Sequence, residues 1–204
     1  MARIDVAGIR RDQIIDAALD VFGEKGYHNT GIGDIAAELD VGRGTLYRYF
    51  KNKLEIATSV INSIIKRIAE VLTLEPPQGV STIDQYSQTL ENIGDRFIAL
   101  IEDNREVKHF LWYETLFIDE SITRKINEFF ELMASYTEMY LKNGIEKGFL
   151  NPEMHTREAA YAINGMLFEA ARRLSAAPEI DDELKSAWRE TIKGMVLNGL
   201  AVRT

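Results

Sequence analysis

The chain has 204 residues and no cysteine, which excludes disulfide bonds, thiolate metal sites and cysteine catalysis and fits a reducing compartment. This length is sufficient for a single large core or for a small head with a larger body. No apolar run reaches the length of a signal-peptide core or a membrane span, so we expect a cytoplasmic protein.

The net charge of −8 is distributed unevenly along the chain. Residues 1–53 contain eight basic and eight acidic residues, whereas residues 54–204 contain 16 basic and 24 acidic residues. An anionic body is repelled by phosphates, so any contact with nucleic acid would fall to the electrically neutral N-terminal part.

The N-terminal part predicts three short helices. Apolar side chains recur at helical spacing over residues 10–25, and Gly26 is expected to end this first helix. A second helix and a third helix follow, separated by a tight turn that breaks the period. The apolar face of the second helix consists of Ile35, Ala36 and Leu39. The residues that anchor the third helix are Val41, Leu46 and Tyr49.

The third helix has an outer face that is too polar and aromatic for ordinary core. Its anchoring residues leave a cation, a hydroxyl and a phenol displayed together. The residues on this face are Arg43, Gly44, Thr45, Tyr47 and Arg48. A helix with this face, held across a partner helix, has what is needed to enter the major groove of DNA. The sequence therefore predicts a DNA-binding helix-turn-helix.

The remainder of the chain predicts helices throughout. A long helix should begin at Lys53 and reach about Leu74, and the proline-containing segment 75–79 is the clearest linker. Further helices are expected at 82–103, 105–118, 119–147, 153–176 and 180–202. The predicted fold is all-α with about nine helices, divided into a head of residues 1–53 and a body of residues 54–204.

The residues of the head also carry a family resemblance. The pattern Ile-Ala-x-x-x-x-Val-x-x-Gly-Thr-Leu-Tyr-x-Tyr-Phe-x-x-Lys, which ends at Lys53, follows an Ala-Leu-x-x-Phe-x-x-x-Gly-Tyr-x-x-Thr stretch that ends at Thr30. Together they resemble the N-terminal domain of the TetR (tetracycline-repressor-like) family over about residues 10–53, and beyond that the resemblance is architectural. The family implies a homodimeric transcriptional repressor that binds a palindromic operator and is released by a small-molecule effector.

The resemblance and the polar face together give nine candidate DNA-binding residues. They are Thr30, Gly42, Arg43, Gly44, Thr45, Tyr47, Arg48, Tyr49 and Lys53. Arg43 can reach a guanine edge or a phosphate, and Thr45 can meet a base edge. Tyr47 and Lys53 are better suited to phosphate oxygens. Two alternatives stay open, since Arg48 could be a solvated cation and Tyr49 could belong to the core.

Three positions depart from the usual family pattern. Asp40 stands where a turn glycine is common, at a site that tends to need the left-handed conformation, which aspartate tolerates at modest cost. Gly31 and Gly42 stand where serine or threonine often caps each helix. Glycine is the weaker cap by a few tenths of a kcal/mol.

Aromatic residues are concentrated between residues 97 and 140. They can simply fill the core of a helical bundle, or they can line the effector cavity that the resemblance implies. Methionines would suit a largely apolar effector because they adapt to irregular shapes. The candidate pocket residues are Phe97, Phe110, Tyr113, Glu114, Phe130, Met133 and Met166. If Glu114 is buried it needs a partner, which an internal cation such as Arg96 or a cationic ligand could supply.

The last two helices contain small and apolar residues that allow close approach of a second helix. The family implies an isologous four-helix interface built from two such pairs. The candidate interface residues are Ile163, Leu167, Ala171, Trp188, Ile192 and Met195. An intrachain core is the alternative for each of them.

No motif for metal, cofactor or catalysis is found in the sequence. The histidines His28, His109 and His155 lie far apart, and neither a phosphate-binding glycine loop nor a nucleophile–base motif is present. We therefore expect no metal, no cofactor and no enzymatic activity. The alternative to a metabolite effector is a DNA-binding regulator whose body binds a protein partner.

Overall fold

The computed structural model describes residues 6–102, 118–177 and 181–200. These ranges contain eight α-helices, a short 3-10 turn at Pro77–Gly79 and no β-strand. The helices are α1 (Val6–Lys25), α2 (Ile32–Glu38), α3 (Arg43–Tyr47), α4 (Lys53–Thr73), α5 (Ile83–Glu102), α6 (Glu120–Glu146), α7 (Thr156–Ala176) and α8 (Asp182–Leu200). The all-α prediction is confirmed, and the helix predicted at 105–118 lies outside the described residues. None of the described helices is long and apolar enough to cross a membrane.

The chain divides into two compact units, and the division does not fall at residue 53. One unit comprises the residues up to Arg67 together with a segment that ends at Lys125. The other begins at Ile68 and includes the residues from Ile126 onward. We call them the head unit and the body unit, and α4 contributes residues to both.

The head unit is built on an apolar core that α1, α2, α3 and α4 share. The side chains of Phe22, Ile35, Leu46 and Phe50 are almost completely buried, as are those of α4 at helical spacing from Ile56. Burial of side chains of this size contributes about 1.5–3 kcal/mol each. The short helices α2 and α3 are therefore held by packing, because helices of five to seven residues are unstable alone.

Local signals end the helices of the head where the sequence predicts. Gly26 follows α1 with φ of 79°, and Asp40 follows α2 with φ of 50°. After α2, the amide of Asp40 donates to the carbonyl of Ala37, and the amide of Val41 donates to that of Ala36. This pair of bonds is the Schellman motif, which requires a left-handed residue. The left-handed conformation predicted for Asp40 is confirmed.

The body unit is organised around α5, which packs against α7 and α8, while α7 also packs against α8. Its core joins residues from these helices, from α6 and from the segments between them. The buried members are Val80, Tyr86, Ile93, Ala134, Tyr140, Leu141, Leu150, Ala160, Ile163 and Val196. Two cavities lie between these helices.

Residues 75–79 are held in place by the body unit and do not form the free linker that their composition suggests. The Glu75 carboxylate pairs with Arg96 at 2.8 Å and accepts a hydrogen bond from Asn92 at 3.0 Å. The Tyr140 hydroxyl donates to the Glu75 carbonyl, and Lys147 donates to the Gln78 carbonyl at 3.0 Å. The prolines end α4, and side chains that are distant in sequence then hold residues 75–79 in place.

Candidate nucleic-acid interface and body cavities

The third helix presents the face that the sequence predicts. Leu46 is 1% exposed and anchors α3 inward, whereas the Tyr47 ring is 57% exposed. Arg43, Gly44 and Arg48 are exposed too, and Thr45 and Tyr49 are half-buried. α3 thus displays two cations, a phenol and a hydroxyl around one apolar anchor, which are the groups that contact phosphates and base edges.

Arg43 extends over the beginning of the neighbouring helix. A Cβ built on Gly33 would lie 2.5 Å from Nη2 of Arg43, so the guanidinium rests against the Gly33 backbone. The first turn of α2 is itself fixed, because the Asp34 carboxylate accepts a hydrogen bond from the Gly31 amide at 2.7 Å. Asp34 also pairs with Lys25 at 2.9 Å. The hydrogen bond from Gly31, followed by that from Lys25, lowers the pKa of Asp34.

Two residues predicted to contact DNA make contacts within the head. Thr30 is 2% exposed, and its hydroxyl donates to the Gly26 carbonyl at 2.8 Å, so its side chain is turned away from the surface. The ammonium of Lys53 donates to the carbonyls of Tyr27 and Thr30 at 2.7 and 2.8 Å and lies 4.2 Å from the centre of the Tyr27 ring. Desolvation lowers the pKa of Lys53. Both residues hold the loop between α1 and α2, and the contact with DNA predicted for Lys53 stays a prediction.

Arg11 fixes the end of the recognition helix, a role that sequence reasoning missed. Its Nη1 donates to the Tyr49 carbonyl at 2.8 Å, its Nη2 donates to the Ser59 hydroxyl at 3.2 Å, and its guanidinium lies 4.1 Å from the centre of the Phe50 ring. These contacts connect α1, α4 and the turn after α3. No local signal could reveal them, because the Arg11 and Tyr49 positions are 38 residues apart.

An apolar cavity of about 60 Å³, here called the chain cavity, lies between α5, α7 and α8. Its walls are mostly aliphatic and aromatic, with three charged residues among the lining: Glu91, Arg189 and Lys193. Each is held in an ion pair between α5 and α8, Lys193 with Glu91 and Arg189 with Asp95. The interior therefore suits an apolar group, since the charges are already partnered.

The structure places the predicted pocket residues in different surroundings. Phe97 lines the chain cavity, whereas Phe130, Met133 and Met166 are not among its lining residues. Phe130 is 38% exposed and packs edge-on against Phe168, with ring centroids 5.0 Å apart. Met133 is buried and Met166 packs against the body core. The other predicted pocket residues, Phe110, Tyr113 and Glu114, lie outside the described residues.

Five of the six residues predicted for a dimer interface line the chain cavity. These are Ile163, Leu167, Ala171, Trp188 and Ile192. Ile163 and Ala171 are 4% and 1% exposed within a single chain, so the prediction that their side chains face a second subunit is not supported. Met195, in contrast, is 61% exposed and keeps an apolar side chain available for a partner.

A second cavity, here called the polar cavity, lies between α5, α6 and α7 and measures about 40 Å³. Hydroxyl and amide side chains line it together with aliphatic ones, including Tyr86, Thr89, Thr137 and Asn164. The histidine and acidic residues within the described ranges form no group that could hold a metal ion.

The head and the whole chain both match known regulators. Residues 14–60 match the family model described as bacterial regulatory proteins, tetR family. The fatty acid metabolism regulator protein of Bacillus subtilis is 26% identical over 157 residues, which cover 77% of this chain and 79% of that protein.

Solved structures extend the likeness to the body. The fatty acid degradation regulator FadR from Bacillus halodurans has a TM-score of 0.79 at 25% identity and covers 95% of this chain and 97% of its own. FadR from Bacillus subtilis in complex with stearoyl-CoA has a TM-score of 0.74 at 24% identity and covers 92% of this chain and 98% of its own, which shows a shared fold. With the helix-turn-helix described above, these matches support a DNA-binding transcriptional regulator of the TetR family.

Proposed function

We propose that the protein is a homodimeric transcriptional repressor that a largely apolar acyl effector releases from a palindromic operator. The observation that carries the proposal is the chain cavity, an apolar space enclosed by helices of the body. A cavity favours a metabolite effector over the alternative of a protein partner, because a protein partner binds a surface and needs no interior space.

The head supplies the contacts to DNA in this proposal. Arg43 and Thr45 face the base edges, Tyr47 and Arg48 face phosphates, and Gly42 and Gly44 let the backbone approach the duplex. Leu46 and the Arg11 contacts fix the orientation of α3 before DNA is bound. Two recognition helices about 34–36 Å apart would then read two half-sites one helical turn apart.

The chemical class of the effector follows from the lining and from one structural relative. The chain cavity is bounded mainly by aliphatic and aromatic side chains, which suit an acyl chain. The Bacillus subtilis relative of similar fold was solved with stearoyl-CoA. We therefore propose a long-chain acyl thioester as the effector.

Binding of a long acyl chain provides a reason for two conformational states. The chain cavity is small, so insertion of a long chain requires α5, α7 and α8 to separate. The Lys193–Glu91 and Arg189–Asp95 pairs join α5 to α8 and must adjust during that separation. An effector shifts the equilibrium by its difference in affinity for the two states. Because α4 contributes to both units, a shift of α4 would carry the change to the head.

The proposed dimer is supported by glycines on the outer surface of α7 and α8. A Cβ on Gly165 or Gly194 would meet no atom within 4 Å, so nothing in the described chain requires glycine at either position. A glycine within a helix costs about 1 kcal/mol relative to alanine. Close approach of a second subunit's helices gives a reason for that cost, and the exposed Met195 would lie in the same interface.

Operator binding and release test the proposal directly. A palindromic site selected from random DNA by the purified protein should be bound and then released by stearoyl-CoA, while coenzyme A alone should have no effect. Thr45→Ala should change the preferred sequence, whereas Tyr47→Phe should weaken binding similarly on all sequences. Fluorescence anisotropy measures both. Unchanged binding by both variants would remove α3 as the recognition helix.

A further inference from the structure

The polar cavity differs from the chain cavity in the chemistry of its lining. Ten described residues line it, and none of them is charged. Six of the ten carry a hydroxyl or an amide: Tyr86, Thr89, Tyr136, Thr137, Tyr140 and Asn164. Burial raises the pKa of Tyr86 and of Tyr140, so both phenols keep their protons at neutral pH. The lining residues are therefore uncharged, and most of them carry a group that can form a hydrogen bond.

One of these groups lacks a partner within the described part of the chain. Asn164 is 5% exposed, and its Oδ1 accepts a hydrogen bond from the Thr137 hydroxyl at 2.8 Å. Its Nδ2 is buried and has no hydrogen-bond partner among the described residues. Such groups are rare in folded proteins, because a buried donor without a partner loses its bonds to water and gains nothing in return. Asn164 is one of the residues that line the polar cavity, so an acceptor for its Nδ2 can come from a ligand bound there.

The two cavities are neighbours that share part of their walls. Leu90, Ile93, Ile163 and Leu167 line both of them. Leu90 and Leu167 are only partly buried, so these side chains are less constrained than the surrounding core. A ligand with a polar group and an apolar tail could thus place the polar group beside Asn164 and the tail in the chain cavity.

We propose that Asn164 donates a hydrogen bond from Nδ2 to the carbonyl oxygen of the acyl effector, whose hydrocarbon chain occupies the chain cavity. This inference rests on the proposed function. A neutral carbonyl fits better than an ionised carboxylate, because the lining of the polar cavity offers no cation to pair with a carboxylate. The site therefore selects an acyl thioester over the free fatty acid.

The closing experiment compares two probes that differ by one oxygen atom. Stearoyl-CoA carries the thioester carbonyl, and S-octadecyl-CoA is the thioether with the same chain and nucleotide but no carbonyl. Isothermal titration of each probe into the full-length protein gives two dissociation constants. We expect the wild-type protein to bind stearoyl-CoA about tenfold or more tightly than the thioether, since one hydrogen bond to a buried donor is lost.

Substitutions then assign the difference to Asn164. Asn164→Ala should weaken stearoyl-CoA binding about tenfold and leave the thioether unchanged, which abolishes the discrimination. Asn164→Asp keeps an acceptor for the Thr137 hydroxyl and replaces the donor, so it should lose the discrimination even if the alanine variant does not fold. Asn143→Ala is the matched control, because the Asn143 amide already donates to the Val80 carbonyl at 2.9 Å. This control should keep the discrimination.

The outcomes separate this inference from the proposed function. If wild-type protein binds both probes equally, or if Asn164→Asp weakens both to the same extent, Asn164 does not hold the carbonyl and only this inference is overturned. If neither probe binds to protein that still binds its operator, the acyl effector itself is overturned, and this inference with it.

Discussion

The head and the body of this regulator use polar side chains in opposite ways. In the head, the charged groups of Arg11 and Lys53 are bonded to backbone carbonyls and hold the parts of the helix-turn-helix in fixed positions. In the body, ion pairs join α5 to α8 at the surface, while the interior holds two cavities and an amide nitrogen without a partner among the described residues. A DNA-binding surface is kept in one orientation by a tightly packed core beneath it. A unit that binds a ligand needs internal cavities and polar groups that the protein itself leaves without partners.

The largest expected effect concerns the outer surface of the body. Met195→Asp would place an unpaired carboxylate in the proposed interface and should weaken association by about 3 kcal/mol or more. Operator affinity should fall with it, because a single head makes half of the contacts. Analytical ultracentrifugation measures the dissociation of the dimer, and circular dichroism checks that helix content is retained.

Leu132→Asp is the matched control for that variant. Leu132 lies on α6 and is 59% exposed, close to the 61% of Met195, but it is not in the proposed interface. It should leave the dimer intact. A folded Met195→Asp variant that sediments as a dimer would exclude Met195 from the interface, and a monomeric wild-type protein would exclude the dimeric repressor.

The next largest effect concerns the contribution of Lys53 to the stability of the head. Lys53→Ala leaves the carbonyls of Tyr27 and Thr30 without their donor and should lower the free energy of unfolding by about 1–3 kcal/mol. The exposed Lys51 serves as control, and Lys51→Ala should be nearly neutral for stability. Urea unfolding measures both. An unchanged stability for Lys53→Ala, with a smaller salt dependence of DNA binding, would restore Lys53 as a phosphate contact.

Filling the chain cavity with a larger side chain should give the body a packed interior like that of the head. A Cβ on Gly94 would meet no atom within 4 Å, and Gly94 lines the chain cavity. Gly94→Leu should raise the free energy of unfolding by about 1 kcal/mol through helix propensity, while effector-induced release from DNA is lost. Gly94→Ala gives the propensity gain with less filling and should retain release. Release by the leucine variant at normal effector concentration would mean that the effector binds elsewhere.

A smaller effect concerns the turn between α2 and α3. Asp40→Gly should raise the free energy of unfolding by up to about 1 kcal/mol, because glycine adopts a φ of 50° without the Cβ penalty. Asp40→Ala should lower the stability, since alanine lacks the tolerance of aspartate for this conformation. A thermal melt of each variant gives the comparison. A clear loss in Asp40→Gly would show that the aspartate side chain makes a needed hydrogen bond.

The smallest effect is the pH dependence of the α2 cap. The pKa of Asp34 is lowered in the folded protein from its ordinary value of 3.8, so its contribution is present above that pH and is lost as the pH falls through the folded-state value. Asp34→Asn should therefore flatten the acid limb of the melting temperature below about pH 4. Asp12→Asn, at an exposed position of α1 in the head, is the control. An identical acid limb in Asp34→Asn would assign the acid sensitivity to other carboxylates.

The sequence by itself determined the features that depend on nearby residues. The spacing of apolar residues predicted α1 to α4 and the helices of the described body, and the glycine at Gly26 and the turn at Asp40 ended helices as expected. Helix periodicity and capping involve residues within about one or two turns, so these signals are readable in the chain. The polar outer face of α3 was readable for the same reason.

Only the tertiary structure decided which polar groups are occupied and which are free. Lys53 donates to carbonyl groups 26 and 23 residues away, so its support of the loop could not be predicted from neighbouring residues. Thr137 and Asn164 are 27 residues apart, and the Thr137 hydroxyl donates to Oδ1 of Asn164. Nδ2 of Asn164 has no partner among the described residues. Residues predicted to face a second subunit line a cavity for a related reason, because an apolar stripe on a helix does not specify which apolar surface covers it.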